Sequence, residues 1–126
     1  FKYLKKNNNF DIIIDDSLHN YYGYTNNIKN FFPAVKSGGV YILEDFNGTD
    51  DYLNKIRKFN NEHNKKPWVY AENTMEEVFK YIKEKKFFID DYLDETTQKY
   101  LMNNVKDIIS ERSHHPSGSI AFLFKK

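Results

Sequence analysis

Apolar residues in this chain are gathered into short runs whose spacing changes from one segment to the next. The first run, FDIIIDD, sets Phe10, Ile12, Ile13 and Ile14 in near-continuous succession between acids. That is the pattern of a strand buried on both faces, as in a parallel sheet. After a polar stretch, Ile28, Phe31, Phe32 and Val35 recur at i, i+3, i+4 and i+7. The spacing predicts a one-faced helix, capped by Thr25 and stopped by Ser37, Gly38 and Gly39. A second β-rich run, VYIL at 40–43, again ends in acids, Glu44 and Asp45. Strand, helix and strand within about 36 residues make a βαβ unit.

The remaining segments read as covering elements. Residues 50 to about 61 predict a helix with Leu53 and Ile56 inward, and Thr74 with Glu77 forms a capping box for a helix carrying Val78, Phe79 and Ile82. Leu101, Val105, Ile108 and Ile109 repeat at helical spacing as far as about Glu111, and SIAFLFKK reads as a last strand. Three strands are thus expected, starting near Phe10, Val40 and Ser119, with a weaker extended piece at 68–70. A doubly wound sheet usually has five or more, so the chain reads as the second half of a larger domain. There is no internal repeat, coiled coil or long linker.

Length and charge narrow the functional classes. The chain has 126 residues with 40% hydrophobic, 17% aromatic and 29% charged positions, enough for one folded, soluble domain and too short for two ordinary ones. Nineteen Lys and Arg against eighteen Asp and Glu leave a net charge of +1, which points to no nucleic acid and no membrane surface. With no cysteine, disulfides, thiolate metal sites and thiol nucleophiles are excluded, and a reducing, cytoplasmic location is expected. No stretch approaches the roughly 18 apolar residues of a membrane helix. The only paired glycines, Gly38 and Gly39, precede a strand, the wrong end for cradling a phosphate.

The candidate chemistry follows from topology. A right-handed crossover makes the first two strands parallel, so Asp15, Asp16, Glu44 and Asp45 converge at one edge of the sheet, where ligands of open α/β sheets bind. Several carboxylates there suit a hard cation such as Mg²⁺, which takes oxygen ligands at about 2.0 to 2.1 Å. His19, three residues after Asp16, is the nearby group whose ordinary pKa suits proton abstraction near neutrality. Each acid alone could instead cap a helix or face solvent. His114 and His115 read as a surface or substrate-facing loop. Tyr21, Tyr22 and Tyr24 read as packing or, near the site, as a surface for a sugar ring. Trp68 reads as packing, and Lys83, Lys85 and Lys86 as a solvated helix end.

These residues carry a resemblance. FDIIIDDSLHNYYGYTNNIKNFFPAVKSGGVYILEDF resembles the fourth strand, following helix and fifth strand of class I S-adenosylmethionine-dependent methyltransferases. Within that class it is similar to the macrocin and mycinamicin sugar O-methyltransferase group, which reads DIIIDDGSH, a helix ending LFP-x-x-K-x-GG, then VYxIED. The shared features are DD-x-x-H, the FP before the helix end, the GG and the ED, over residues 10–46. The closing SHHPSGSIAFLFKK is similar in character to the group's last strand, which would set Lys126 near the natural end of the domain. Ser17 and Leu18 stand where the group has Gly and Ser, and FNGTDDY replaces its LHTSYW.

The resemblance implies a Rossmann-like α/β methyltransferase fold, partial from the fourth strand onward, with a mostly parallel sheet flanked by helices. It implies that Asp16, Glu44 and Asp45 ligate Mg²⁺, that His19 is the general base, and that Asp15 has a structural or supporting role. The cofactors would be S-adenosylmethionine and Mg²⁺, and the acceptor a sugar or glycoside hydroxyl. The glycine-rich loop and the acid that hold the cofactor in the family have no counterpart in residues 1–126, so the cofactor-binding part is expected to be absent and the chain inactive alone. A homo-oligomer, or pairing with the missing amino-terminal half, is the expected assembly. The rival readings are a catalytically inactive methyltransferase-like interaction domain and another Mg²⁺-dependent α/β enzyme such as a hydrolase.

Overall fold

The computed structural model describes residues 10–64, 71–113, 115 and 118–126. Four strands, β1 (Phe10–Asp15), β2 (Val35–Glu44), β3 (Val105–Arg112) and β4 (Ser119–Lys125), form one sheet in the order β1-β2-β4-β3. Four helices accompany them: α1 (Tyr21–Phe31), α2 (Asn47–Glu62), α3 (Met75–Glu84) and α4 (Glu95–Asn104). The expected βαβ unit is present, with β1 and β2 parallel and Asp15 opposite Leu43.

The sheet is mixed, which corrects the expectation of a mostly parallel one. β4 runs antiparallel to both β2 and β3. The connection from Arg112 to Ser119 is too short for a crossover, so β3 and β4 can only pair as a hairpin, and β4 then enters between β2 and β3. The fourth strand was hidden in the 101–111 segment. Helix α4 stops at Asn104, and Val105 to Arg112 are extended. A register irregularity between Val105 and Asp107 breaks the two-residue alternation there and leaves a spacing that mimics a helix. The piece expected at 68–70, with Trp68, lies outside the described residues.

Three further expectations shift. Asn20, not Thr25, caps α1, its side chain accepting from Gly23 N–H at 2.7 Å, while Thr25 donates within the helix to the Tyr21 carbonyl at 2.8 Å. Val35 opens β2 instead of ending the helix, and a 3-10 turn (Phe32–Ala34) stands between them. Ser37, Gly38 and Gly39 lie inside β2, at the register irregularity facing Phe10 to Ile12. The capping box of Thr74 and Glu77 at α3 is present as expected.

One core sits on one face of the sheet. Tyr41, Leu43, Ala121, Leu123 and Ile108 pack with Tyr24, Ile28, Leu53, Val78, Phe79, Ile82 and Leu101 from the helices. The opposite face is apolar and open among the described residues: Ile12 and Ile14 are 58% and 62% exposed, Ile109 is exposed, and Val40, Ile42, Phe122 and Phe124 are half-buried. β1 is therefore buried on one face only, and among the described residues its far edge has no partner strand. No described helix is long and apolar enough to cross a membrane.

Candidate metal and proton-transfer site

The parallel pairing brings the carboxyl ends of β1 and β2 side by side, and the chain leaves each strand differently. Asp15 still belongs to β1 and alternation turns it to the covered face. Its carboxylate accepts from Ser17 Oγ at 2.5 Å, from Asn27 Nδ2 at 3.0 Å and from the Tyr41 hydroxyl, and the residue is buried. Its oxygens are occupied as an anchor between β1, α1 and β2. Burial holds the Tyr41 phenol well above the usual range, with the Asp15 carboxylate adding to the effect.

Asp16 and His19 lie beyond the strand in the open. His19 Nε2 stands 3.1 Å from Asp16 Oδ1, both side chains about half exposed. The loop between them folds back tightly, with Asn20 N–H donating to the Leu18 carbonyl at 2.7 Å before α1 begins. Gly23 makes this possible, because a Cβ there would lie 2.6 Å from the Leu18 carbonyl oxygen. Thr49, in the first turn of α2, donates to the His19 carbonyl at 3.2 Å.

Asp45 leaves β2 in a left-handed conformation with φ of 57°. Its N–H donates to the Ser119 carbonyl at 2.8 Å and its carbonyl accepts the Tyr24 hydroxyl at 2.9 Å. Together Asp16, His19 and Asp45 offer ligand atoms that all lie within 4.8 Å of one another. Glu44, one residue earlier, does not join this group; strand alternation sets it on the face of Ile42.

This donor set fits a divalent cation. Octahedral ligands at about 2.1 Å lie about 3 Å apart as neighbours and about 4.2 Å apart across the ion. The Asp16–His19 separation already matches the first, and the 4.8 Å limit comes within a small side-chain movement of the second. Two carboxylates suit Mg²⁺, and an imidazole at the same point either completes the ligand set or works as a base.

The other residues of interest are dispersed. Tyr21 and Tyr24 are core residues, whereas Tyr22 is exposed on the rim, edge-on to Tyr92 at 5.3 Å. The Tyr21 hydroxyl donates to Asp90. His115 is exposed and its carbonyl accepts from Asn47 at 3.2 Å, and His114 lies outside the described residues. Lys83, Lys85 and Lys86 are at the solvated end of α3, where Lys83 donates to the Ile108 carbonyl and Lys86 pairs with Glu84. Sequence reasoning read Tyr24 as packing or a sugar-facing surface and missed its bond to Asp45, and it missed Thr49 and the role of Ser119, because each acts on main-chain atoms far along the chain. Asn20 was findable, as an Asn immediately before a helical segment.

No family model and no curated protein matches the chain. Solved structures do. The MycE methyltransferase from the mycinamycin biosynthetic pathway, in complex with Mg and SAH, matches with a TM-score of 0.52 at 19% identity, covering 98% of this chain and 28% of that one. The same enzyme with Mg, SAH and mycinamycin VI matches with a TM-score of 0.50 at 18% identity over the same shares. The chain thus has a methyltransferase fold, and spans little more than a quarter of the length of the structures it matches.

Proposed function

We propose that this chain is the metal- and acceptor-binding part of an S-adenosylmethionine-dependent, Mg²⁺-dependent O-methyltransferase acting on a sugar or glycoside hydroxyl. The observation that carries the reading is the convergence of Asp16, His19 and Asp45 at the ends of two parallel strands, in a fold shared with a methyltransferase that was solved with Mg and SAH. Asp16 and Asp45 would hold the cation, and Glu44, which strand alternation sets on the face of Ile42, is left out of the set. When bound, Mg²⁺ would lower the pKa of the acceptor hydroxyl and S-adenosylmethionine would supply the methyl group.

His19 takes the hydroxyl proton on the ring nitrogen that faces the acceptor. Bound S-adenosylmethionine would supply the methyl to that oxygen, its sulfur keeping the electron pair of the bond that breaks. Asp16 orients the imidazole through the 3.1 Å contact and stabilises it once protonated. Tyr22, exposed at the rim, would offer its ring to a sugar acceptor.

The cofactor would be held jointly with a further α/β segment. The edge of β1, unpaired among the described residues, would accept another parallel strand, and right-handed crossovers running away from β2 would place their helices on the open sheet face, opposite α1. The strand order would then reverse at β1, so the switch point falls where Asp16 lies. The open apolar face supports this, with Ile12 and Ile14 exposed beside half-buried Val40 and Ile42. A cytoplasmic location belongs to the same reading.

A second reading, a methyltransferase-like interaction domain without catalysis, is favoured by that open apolar face alone. Calorimetric titration of S-adenosylmethionine, with and without Mg²⁺, into this chain and into the longest natural polypeptide containing it separates the two. Binding by the long form alone is expected. Absence of binding by either folded form would overturn methyl transfer and favour the interaction domain.

A further inference from the structure

We propose that Tyr24 and Thr49 are positioning residues that set the separation of His19 and Asp45, each hydroxyl holding the main chain of one loop from the helix that follows the other. The inference rests on the metal-site reading above and concerns residues to which that reading gives no role. Thr49 donates to the His19 carbonyl at 3.2 Å, and the Tyr24 hydroxyl donates to the Asp45 carbonyl at 2.9 Å.

The arrangement is reciprocal. Tyr24 belongs to α1, the helix that starts just after His19, yet it holds the Asp45 loop. Thr49 belongs to α2, the helix that starts just after Asp45, yet it holds the His19 loop. Neither loop can move outward without breaking a bond to the other's helix.

Asp45 needs such a restraint. Were it extended like Leu43, alternation would send its side chain to the face of Tyr41 and Leu43, under the helices. The left-handed turn redirects it to Asp16 and His19. That conformation is disfavoured for any residue with a Cβ, though least for Asn and Asp, so it persists because neighbours fix it. Ser119 fixes it from below, accepting the Asp45 N–H at 2.8 Å on its carbonyl and the Asn47 N–H at 2.8 Å on Oγ. Tyr24 fixes it from the side and is fully buried. Burial also pushes its phenol up to about 12, so the hydroxyl remains a donor at neutral pH.

The test uses Mn²⁺ as the probe, titrated calorimetrically into the polypeptide as its gene encodes it. Tyr24→Phe and Thr49→Val are each expected to weaken Mn²⁺ binding about tenfold, the range seen when a ligand's supporting partner is removed. The double variant should lose less than the product of the two, since both bonds restrain the same pair of loops. Thr49→Ser should restore wild-type affinity. Tyr21→Phe, which deletes a buried hydroxyl bonded to Asp90 instead, should leave it within about twofold. Unchanged affinity in both Tyr24→Phe and Thr49→Val would overturn the proposal while leaving the metal reading intact. If the wild-type protein binds no Mn²⁺, the metal reading fails, and amide exchange then decides the clasp by itself. Tyr24→Phe should speed exchange of the Asp45 N–H about tenfold, and an unchanged rate would overturn it.

Discussion

Asp50→Asn should change how stability depends on pH more than it changes stability itself. Asp50 has no exposure. Its carboxylate meets the start of α3, accepting the Met75 N–H at 2.7 Å and the Glu76 N–H at 3.1 Å, with Arg112 Nη2 at 3.6 Å. Burial pushes its carboxyl up from 3.8 to about 6, outweighing the two amides and Arg112, which pull it down. An unfolded chain therefore releases this proton near 3.8 and the folded chain near 6. Between those values the native state binds more protons, so the contribution is complete below 3.8 and is lost as pH rises through 6. That interval, at about 1.4 kcal/mol per pH unit, is worth about 3 kcal/mol, of which about 2 kcal/mol falls between about pH 4.5 and 7.5. Asparagine retains one carbonyl acceptor for Met75, turns an NH₂ toward Glu76, and does not titrate. Urea unfolding of both proteins at the two pH values should show the destabilisation by Asn shrinking by about 2 kcal/mol as pH rises. Parallel profiles would refute the reasoning, and a destabilisation that grows with pH would mean that the helix end and Arg112 win over burial.

Other perturbations probe the sheet. Gly39→Ala would put a Cβ 2.6 Å from the Asp11 carbonyl oxygen and 2.8 Å from Val35, so thermal unfolding should register a loss of roughly 1–3 kcal/mol. Gly38→Ala meets open space but keeps a φ of 79°, and about 1 kcal/mol is expected from backbone strain alone. Leu123→Ala, on the covered face, should cost about 2–5 kcal/mol. Ile14→Lys, on the open face, should change the stability of this chain by less than about 0.5 kcal/mol, and a large loss would show that the face is covered within the chain.

What was legible in the sequence was written in short, local patterns. The βαβ unit and the acids at its strand ends were read from runs and spacings inside residues 10–46, and the pairing of Asp15 opposite Leu43 follows once the crossover is granted. The capping box of α3 was equally local, needing only Thr74 and Glu77. What failed lay where tertiary packing overrides a local period. Val105 and Ile108 are three apart because a register irregularity displaces them, not because they share a helix face. Val35 fits the helical stripe and is buried, yet it is the first residue of a strand that α1 packs against. The contacts of Tyr24, Thr49 and Ser119 carried no signal, since their partners are main-chain atoms 21, 30 and 74 residues away by the difference of residue numbers.

The misreading of β1 is informative in a different way. Its isoleucine run was read as a strand buried on both faces, and that rule describes sheets whose two faces are both covered. Here Ile13 reaches the core while Ile12 and Ile14 stand open. On β4, Phe122 and Phe124 repeat the imbalance beside Ala121 and Leu123. A strand facing water on one side for good would alternate apolar with polar, as two-layer antiparallel sheets do. Neither β1 nor β4 does so. Their composition is therefore that of the middle layer of three. The same strands that present Asp16 and Asp45 to the candidate site thus have a composition suited to a second covering layer, which is why the proposed α/β segment and the proposed chemistry meet at the carboxyl end of β1.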